Sequence, residues 1–294
     1  MCSVFLAWRC VADYDLILAA NRDEFYERPT RAMYYWPRSG VYAGRDKAAG
    51  GTWLGVHPGQ AKWGVVTNFR DPQHMRSDAR SRGTLLATYL KSEQSPLTFA
   101  ADLGLQPGPD LSPDAGQPLQ EAEGHPRPSE YNGFNLLLGF HSELYYLSNQ
   151  SGTIHLLQPG IYGLSNAWLN TPWPKVTKGR SQLKALSSLN GRGLEDPEQY
   201  WQFLTDQQIA RDHLLPHTGV GLERERLLSA LFIDSAVYGT RSSNVLWIKS
   251  DGQARVVERT WQVPLDSSGR PKASKDVEFS FLIPALGRSV SAVV

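Results

Sequence analysis

From Cys2 to Val11 both alternating sets of positions are apolar, the pattern of a strand covered on both faces. The stretch Ala12-Asp13-Tyr14-Asp15 supplies turn residues, and Leu16 to Ala20 returns as a second apolar run, which predicts a hairpin. A two- or four-residue loop centred on Asp13 and Tyr14 pairs Cys2 with Phe25, placing Asn21 and Asp23 on the face of Cys2 and Arg22 on the other. A three-residue loop exchanges those faces. Residues 27–46, rich in Pro, Arg and Tyr, read as an irregular segment, and 50–56 with 63–69 as a second hairpin ending near Asn68. Helical spacing in 81–105 predicts two short helices. Residues 106–129 read as a long, flexible surface loop. Strand patterns return at 134–139, 144–147 and 154–157, and the rhythm breaks over 160–175. Helical spacing follows in 175–189, 196–209 and 223–232, and three strands close the chain at 241–249, 254–263 and 277–282. This order predicts an α+β fold of two stacked antiparallel sheets between helix layers, one domain spanning 1–294.

Composition narrows the partners. A chain of 294 residues, 41% hydrophobic and with a formal charge of +1, has the core of a globular protein and no basic run for nucleic acid or an anionic membrane surface. The apolar start carries Arg9 and lacks a basic leader, so it is not read as a signal peptide, and no apolar run is long enough to span a bilayer. Cys2 and Cys10 on one strand stand about 26 Å apart, beyond disulfide reach, and point to a reduced, cytoplasmic protein. The histidines show no convincing metal spacing, and Ala49-Gly50-Gly51-Thr52 leads into a strand where a phosphate loop needs a helix. No metal or resident cofactor is expected.

The candidate chemistry lies at the N-terminus. With Met1 removed, Cys2 carries both a thiol of ordinary pKa about 8.5 and an α-amine of about 7.7 to 8.0, a nucleophile and a base on one residue. Asn21-Arg22-Asp23-Glu24 arrives beside it from the hairpin. Each residue also has a plainer role: Cys2 as a buried apolar residue, Asp23 as an ion-pair partner, Asn166 after Gly163 as a turn residue, and Arg241 as a structural arginine capping carbonyls. Cys10, deep in a doubly covered strand, is expected to react more slowly than Cys2.

Five stretches taken together carry a family resemblance: Met1-Cys2, Asn21-Arg22-Asp23-Glu24-Phe25, Tyr162-Gly163-Leu164-Ser165-Asn166, Thr171-Pro172-Trp173-Pro174-Lys175 and Tyr238-Gly239-Thr240-Arg241-Ser242-Ser243. The chain resembles the NRDE family, the homologues of Transport and Golgi Organization 2, over almost its whole length. That family is similar to N-terminal-nucleophile hydrolases of the penicillin V acylase and bile salt hydrolase branch. The resemblance implies a four-layer αββα sandwich, with Cys2 as nucleophile and Asp23 holding its amine. Asn68 and Asn166 take the oxyanion and amine-holding positions, and Arg241 approaches from a later strand. One departure stands out: the acylases carry an arginine three residues before the aspartate, where this chain has Ala20, and Arg22 instead adjoins Asp23. Asn132, Asn135 and Ser165 are further candidates, read first as structural.

Phe25, Phe69 and Trp168 lie close in sequence to these positions and predict an apolar cleft, with Arg22 and Arg241 able to receive a carboxylate. The expected activity is hydrolysis of an amide or thioester of an apolar acyl compound through an acyl-enzyme. The alternative is a non-catalytic carrier of a hydrophobic ligand such as haem, bound as cargo, which the resemblance raises and no cysteine–histidine motif supports. The oligomeric state is left open.

Overall fold

The computed structural model describes residues 2–113, 130–189, 193–265 and 267–284. Strands β1 (Cys2–Val11) and β2 (Tyr14–Phe25) form the expected hairpin. They sit inside a six-stranded, wholly antiparallel sheet with β11 (Gly160–Leu164), β12 (Tyr238–Lys249), β13 (Gln253–Trp261) and β14 (Ala273–Leu282), in the order β11-β1-β2-β12-β13-β14. An eight-stranded sheet joins β3 (Thr30–Trp36), β4 (Val41–Asp46), β5 (Leu54–His57), β6 (Lys62–Asn68), β8 (Phe134–Phe140), β9 (Glu143–Ser148), β10 (Thr153–Leu156) and the two-residue β7 (Gln106–Pro107). Only the β7–β10 pair is parallel among these ladders.

Period-two alternation distributes β1 and β2 between two cores. Val4, Leu6, Leu18 and Ala20 join the core shared with the eight-stranded sheet. Phe5, Ala7, Ile17 and Ala19 join a second core with Leu183, Tyr200, Trp201 and Phe203 from helices α3 (Pro174–Leu186) and α4 (Pro197–Leu204). Helix α1 (Arg82–Lys91) packs on β5 and β6, and α2 (Pro96–Asp102) on β8 and β10. Two stacked sheets carrying helices make a layout compatible with an αββα sandwich. Among the described residues no helix is long and apolar enough to cross a membrane.

Four expectations need correction. Residues 30–46 form the β3–β4 hairpin in place of an irregular segment. Their arginines hid the strand pattern because Arg31 lies 3.7 Å over the Tyr34 ring and Arg45 4.5 Å over that of Trp36, covering aromatic surface as apolar residues would. Residues 160–164 are a strand paired with β1, where a break was expected. The glycine that suggested the break, Gly163, gives α3 its close approach: a Cβ there would stand 2.7 Å from Arg180 and 2.9 Å from Val176. Within the expected 106–129 loop, Gln106–Pro107 pairs with β10 and Leu111 bridges to Leu157, while 114–129 lies outside the described residues.

The fourth correction is the hairpin register. Cys2 pairs with Arg22, not Phe25. The turn is centred on Ala12 and Asp13, with Asp13 left-handed at φ 65°, one residue earlier than expected. A bulge between Trp8 and Val11, with Arg9 at φ 48°, then shifts the ladder once more. Arg22 therefore shares the inter-sheet face with Cys2, and Asn21 faces the helices with Ser3. The same bulge leaves Cys10 exposed, contrary to the deep burial expected of it.

Candidate functional site

The six-stranded sheet delivers Cys2 to the floor of a cleft of about 470 Å³ as the first residue of β1. The residue is only 8% exposed. Burial pushes its thiol pKa up and the charge of Asp23 adds to that, opposed in part by the charge of Arg22 and by the backbone N–H of Asp23. Arg22, itself buried, stands directly across the ladder and stacks 4.4 Å from the ring of Trp53, with Nη2 3.5 Å from Glu24. Asp23 is 1% exposed and accepts the hydroxyl of Thr240 at 2.7 Å. Burial raises its carboxyl pKa against the pull of neighbouring cations, Lys175 and Arg22 among them.

The turn after β11 is clamped to the end of β6. Ser165 Oγ donates to the Cys2 carbonyl at 3.2 Å, and Thr67 Oγ1 donates to the Ser165 carbonyl at 2.8 Å. Asn166 is fully buried; its Nδ2 donates to the Asn68 carbonyl at 3.0 Å, and its own carbonyl accepts from Arg70 N at 2.7 Å. Asn68 lines the cleft. Asn166 thus acts here on the backbone of Asn68, and its side chain is not among the groups lining the cleft. Asn135, held in reserve, supports the same turn by donating to the Ala167 carbonyl at 3.0 Å. Asn132 lines the cleft rim.

The structure thus gathers Cys2, Arg22, Asp23 and Asn68 around one cleft and places Asn166 immediately behind Asn68. It does not bring Arg241 there. Arg241 occupies the bulge between Thr240 and Ser242, and Nη1 donates to the carbonyls of Phe25, Tyr26 and Arg28 at 2.8, 3.2 and 3.2 Å. That is the work of a structural arginine, and the residue lines a separate cavity of about 560 Å³. Phe25 is half exposed against Tyr238, and Phe69 packs edge-on to Trp168 at 4.8 Å. None of these three aromatic residues lines the cleft, so the expected apolar lining is corrected to a charged one.

Arginines 22, 28, 76, 80 and 82 surround the Cys2 cleft together with Asp23, Glu24 and Asp46. Most are paired: Arg28 with Asp46 at 2.6 Å, Arg76 with Asp78 at 2.7 Å and Arg80 with Glu130 at 2.8 Å. Arg82, at the start of α1, donates to the Gly133 carbonyl at 3.1 Å and has no ion pair among the described residues. Burial lowers its pKa, and the charges of Glu24 and Cys2 oppose that shift.

Behind the cleft lie groups that the sequence reading did not select. Arg70 and Glu225 form a buried ion pair of 2.7 Å, and Glu225 also accepts the amide and hydroxyl of Thr218. Lys175, noted only within a motif, is 3% exposed and its Nζ has no hydrogen-bond partner among the described residues. A usable signal was present: a lysine in the first turn of a helix opened by Pro174 runs against the helix dipole, so it asks for a local reason.

Comparison with known proteins agrees with the motif set. The profile of the family described as Transport and Golgi organisation 2 matches residues 1–263. The chain is 34% identical over 263 residues to the Bos taurus Transport and Golgi organization protein 2 homolog, covering 84% of this chain and 87% of the relative. The Homo sapiens homolog is 30% identical over 264 residues, with the same two coverages. The Drosophila melanogaster Transport and Golgi organization protein 2 is 27% identical over 275 residues, covering 84% of this chain and 86% of the relative.

Proposed function

Since the chain belongs to the Transport and Golgi organisation 2 family, we propose that it is a member with the chemistry of an N-terminal cysteine hydrolase, built on the sandwich of the N-terminal-nucleophile hydrolases. The observation that carries this reading is the placement of Cys2: the first residue of a central strand, on a cleft floor, with Arg22 opposite, Asp23 adjoining and Asn68 on the wall. Removal of Met1 frees the α-amine. Sγ then attacks the acyl carbonyl, forming the S–C bond as the thiol proton passes to that amine. Asn68 offers its amide to the oxyanion. The C–N or C–S bond breaks as the ammonium returns the proton to the leaving group. Water, deprotonated by the same amine, attacks the acyl-enzyme, and a carboxylic acid leaves as the S–C bond breaks.

The charged lining refines the substrate to an acyl compound bearing an acidic group, with Arg82 as the cation available to receive it. Intact mass should show the chain starting at Cys2, and incubation with acyl amides and thioesters should add one acyl mass to Cys2 and none to Cys2→Ser. Retained Met1, or no adduct from any acidic acyl compound, overturns the reading. Among the described residues Cys2 is also the one cleft-lining residue of a type that usually ligates haem, so a Soret titration of the same protein reads out the carrier alternative.

A further inference from the structure

Helix α3 lies along β1 on the face away from the cleft. A Cβ on Gly179 would stand 2.2 Å from the Phe5 ring, and Arg180 Nη2 donates to the Ile161 carbonyl, opposite Ala7, at 3.0 Å. Arg180 and Val176 both lie against Gly163, opposite Phe5, at 2.7 and 2.9 Å from where a Cβ there would stand, and the charges that act on Lys175, those of Asp23 and Cys2 among them, place the preceding turn of α3 toward the start of β1. Lys175 is one turn before Gly179, about 6 Å along the helix axis, which matches the advance of about two strand residues from Phe5 to Ser3. Ser3 is fully buried, and among the described residues neither its Oγ nor Lys175 Nζ has a hydrogen-bond partner. The lysine is therefore held in the helix-side layer beneath the first residues of β1 by packing, with no hydrogen bond to account for its burial.

We propose that Lys175 is a positioning residue for Cys2: its ammonium balances the buried carboxylate of Asp23, so that the freed α-amine remains neutral and able to take the thiol proton. The inference rests on the N-terminal cysteine reading above. The charge count carries it. Five groups make up the layer: Asp23 from β2, Arg70 from beyond β6, Glu225 from helix α5 (Leu222–Leu228), Tyr238 from β12, and Lys175 itself. Arg70 and Glu225 neutralise each other at 2.7 Å, and burial holds the Tyr238 phenol protonated. Toward the helices Asp23 and Lys175 are left as the opposed charges near Cys2, while on the cleft side Arg22 faces Glu24 at 3.5 Å. Without the lysine, the buried carboxylate draws one more proton into the group, and the α-amine, with an ordinary value of about 7.7 to 8.0 the more basic of the two, takes it. A protonated amine cannot serve as the base. Lys175 suits this task, since burial draws its pKa down to about 8 while Asp23, Cys2 and Glu225 hold it up.

The test follows Cys2 alkylation by iodoacetamide against pH in full-length, Met1-processed protein carrying Cys10→Ser. Removing a nearby cation raises the pKa of every group in the cluster, so Lys175→Met should move the midpoint up by about one unit, roughly a tenfold slower reaction at neutral pH. Lys175→Arg should restore the parent midpoint. An unchanged midpoint in natively folded Lys175→Met overturns the inference. In the unsubstituted chain, the Cε resonance of Lys175 should show an ammonium at pH 7, below the value of about 8 to which burial draws it; a lysine already neutral at pH 7 overturns the inference equally and needs no variant to fold. Retained Met1 or an unacylated Cys2 defeats the hydrolase reading, whereas a processed, acylated Cys2 indifferent to Lys175 defeats this inference alone.

Discussion

Glu258→Gln tests the inter-sheet side of β13, where Glu258 lines the same cavity as Arg241. Glu258, on β13, is 1% exposed and accepts the backbone N–H of Met33 at 3.0 Å, tying the six-stranded sheet to the irregular stretch of β3; its Oε2 has no partner. Burial pushes its pKa up from 4.5 to about 7, with the Met33 N–H and the charge of Arg22 pulling the other way. A carboxyl whose pKa is raised by folding favours the fold while protonated, so its contribution is whole below the unfolded value and is lost as pH rises through the folded one. At about 1.36 kcal/mol per unit, the loss from pH 4.5 to beyond 7 comes to about 3 kcal/mol. Glutamine keeps the acceptor for Met33 and cannot ionise. Urea unfolding across this window should therefore show the variant and parent converging near pH 4.5 and the variant ahead by about 3 kcal/mol above pH 8, about 1 M in midpoint for an m-value of about 3 kcal/mol per M. Parallel curves for the two proteins would refute the burial of this carboxyl.

Asn166→Ala removes the donor to the Asn68 carbonyl and should cost about 1–3 kcal/mol in urea unfolding while slowing acyl-adduct formation at Cys2; full adduct rates would separate Asn68 from its clamp. Gly179→Ala puts a methyl 2.2 Å from the Phe5 ring, so despite the better helix propensity of alanine the thermal midpoint should fall, by an overpacking cost of about 1–3 kcal/mol. A stabilised variant would contradict the close approach of α3 to β1. Cys10→Ser should abolish the faster phase of thiol alkylation and leave unfolding unchanged within about 0.5 kcal/mol, because Cys10 is the exposed cysteine and Cys2 the buried one; loss of the slow phase instead would invert that assignment.

The strands legible in the sequence were those whose apolar residues announce burial, β1, β2, β5, β6, β8 and β12 among them. Those missed had their signal in other chemistry. In β3 and β4 the guanidiniums of Arg31 and Arg45 cover rings that would otherwise read as an alternating apolar face. The hairpin register escaped because a turn can be centred from composition only to within a residue, and a bulge is fixed by neighbours: Arg9 lies 5.3 Å over the Trp8 ring and 3.6 Å from Asp15. At the site, Cys2, Arg22, Asp23 and Asn68 were named and are brought together. Arg241 was named and is drawn instead to three carbonyls. For Lys175 the local signal goes no further than its place against the helix dipole, because nothing in its immediate sequence shows that α3 lies against the start of β1.

The register correction changes the electrostatics of the hairpin more than its shape. With Cys2 opposite Phe25, aspartate and thiol would share a face, and the nearest charge to a thiolate would be repulsive. With Cys2 opposite Arg22, the guanidinium stands on the cleft side with the sulfur, while Thr240 and Lys175 attend Asp23 toward the helices. On the proposed reading, the two products of the first proton transfer are then served from opposite sides of one sheet. Arg22 attracts the thiolate where substrate arrives, against the repulsion of Asp23, which attracts the ammonium behind it. A single extra residue in β1 at Arg9 sets this division, since without it Cys2 would pair with Asp23 and the thiol would lose its cation.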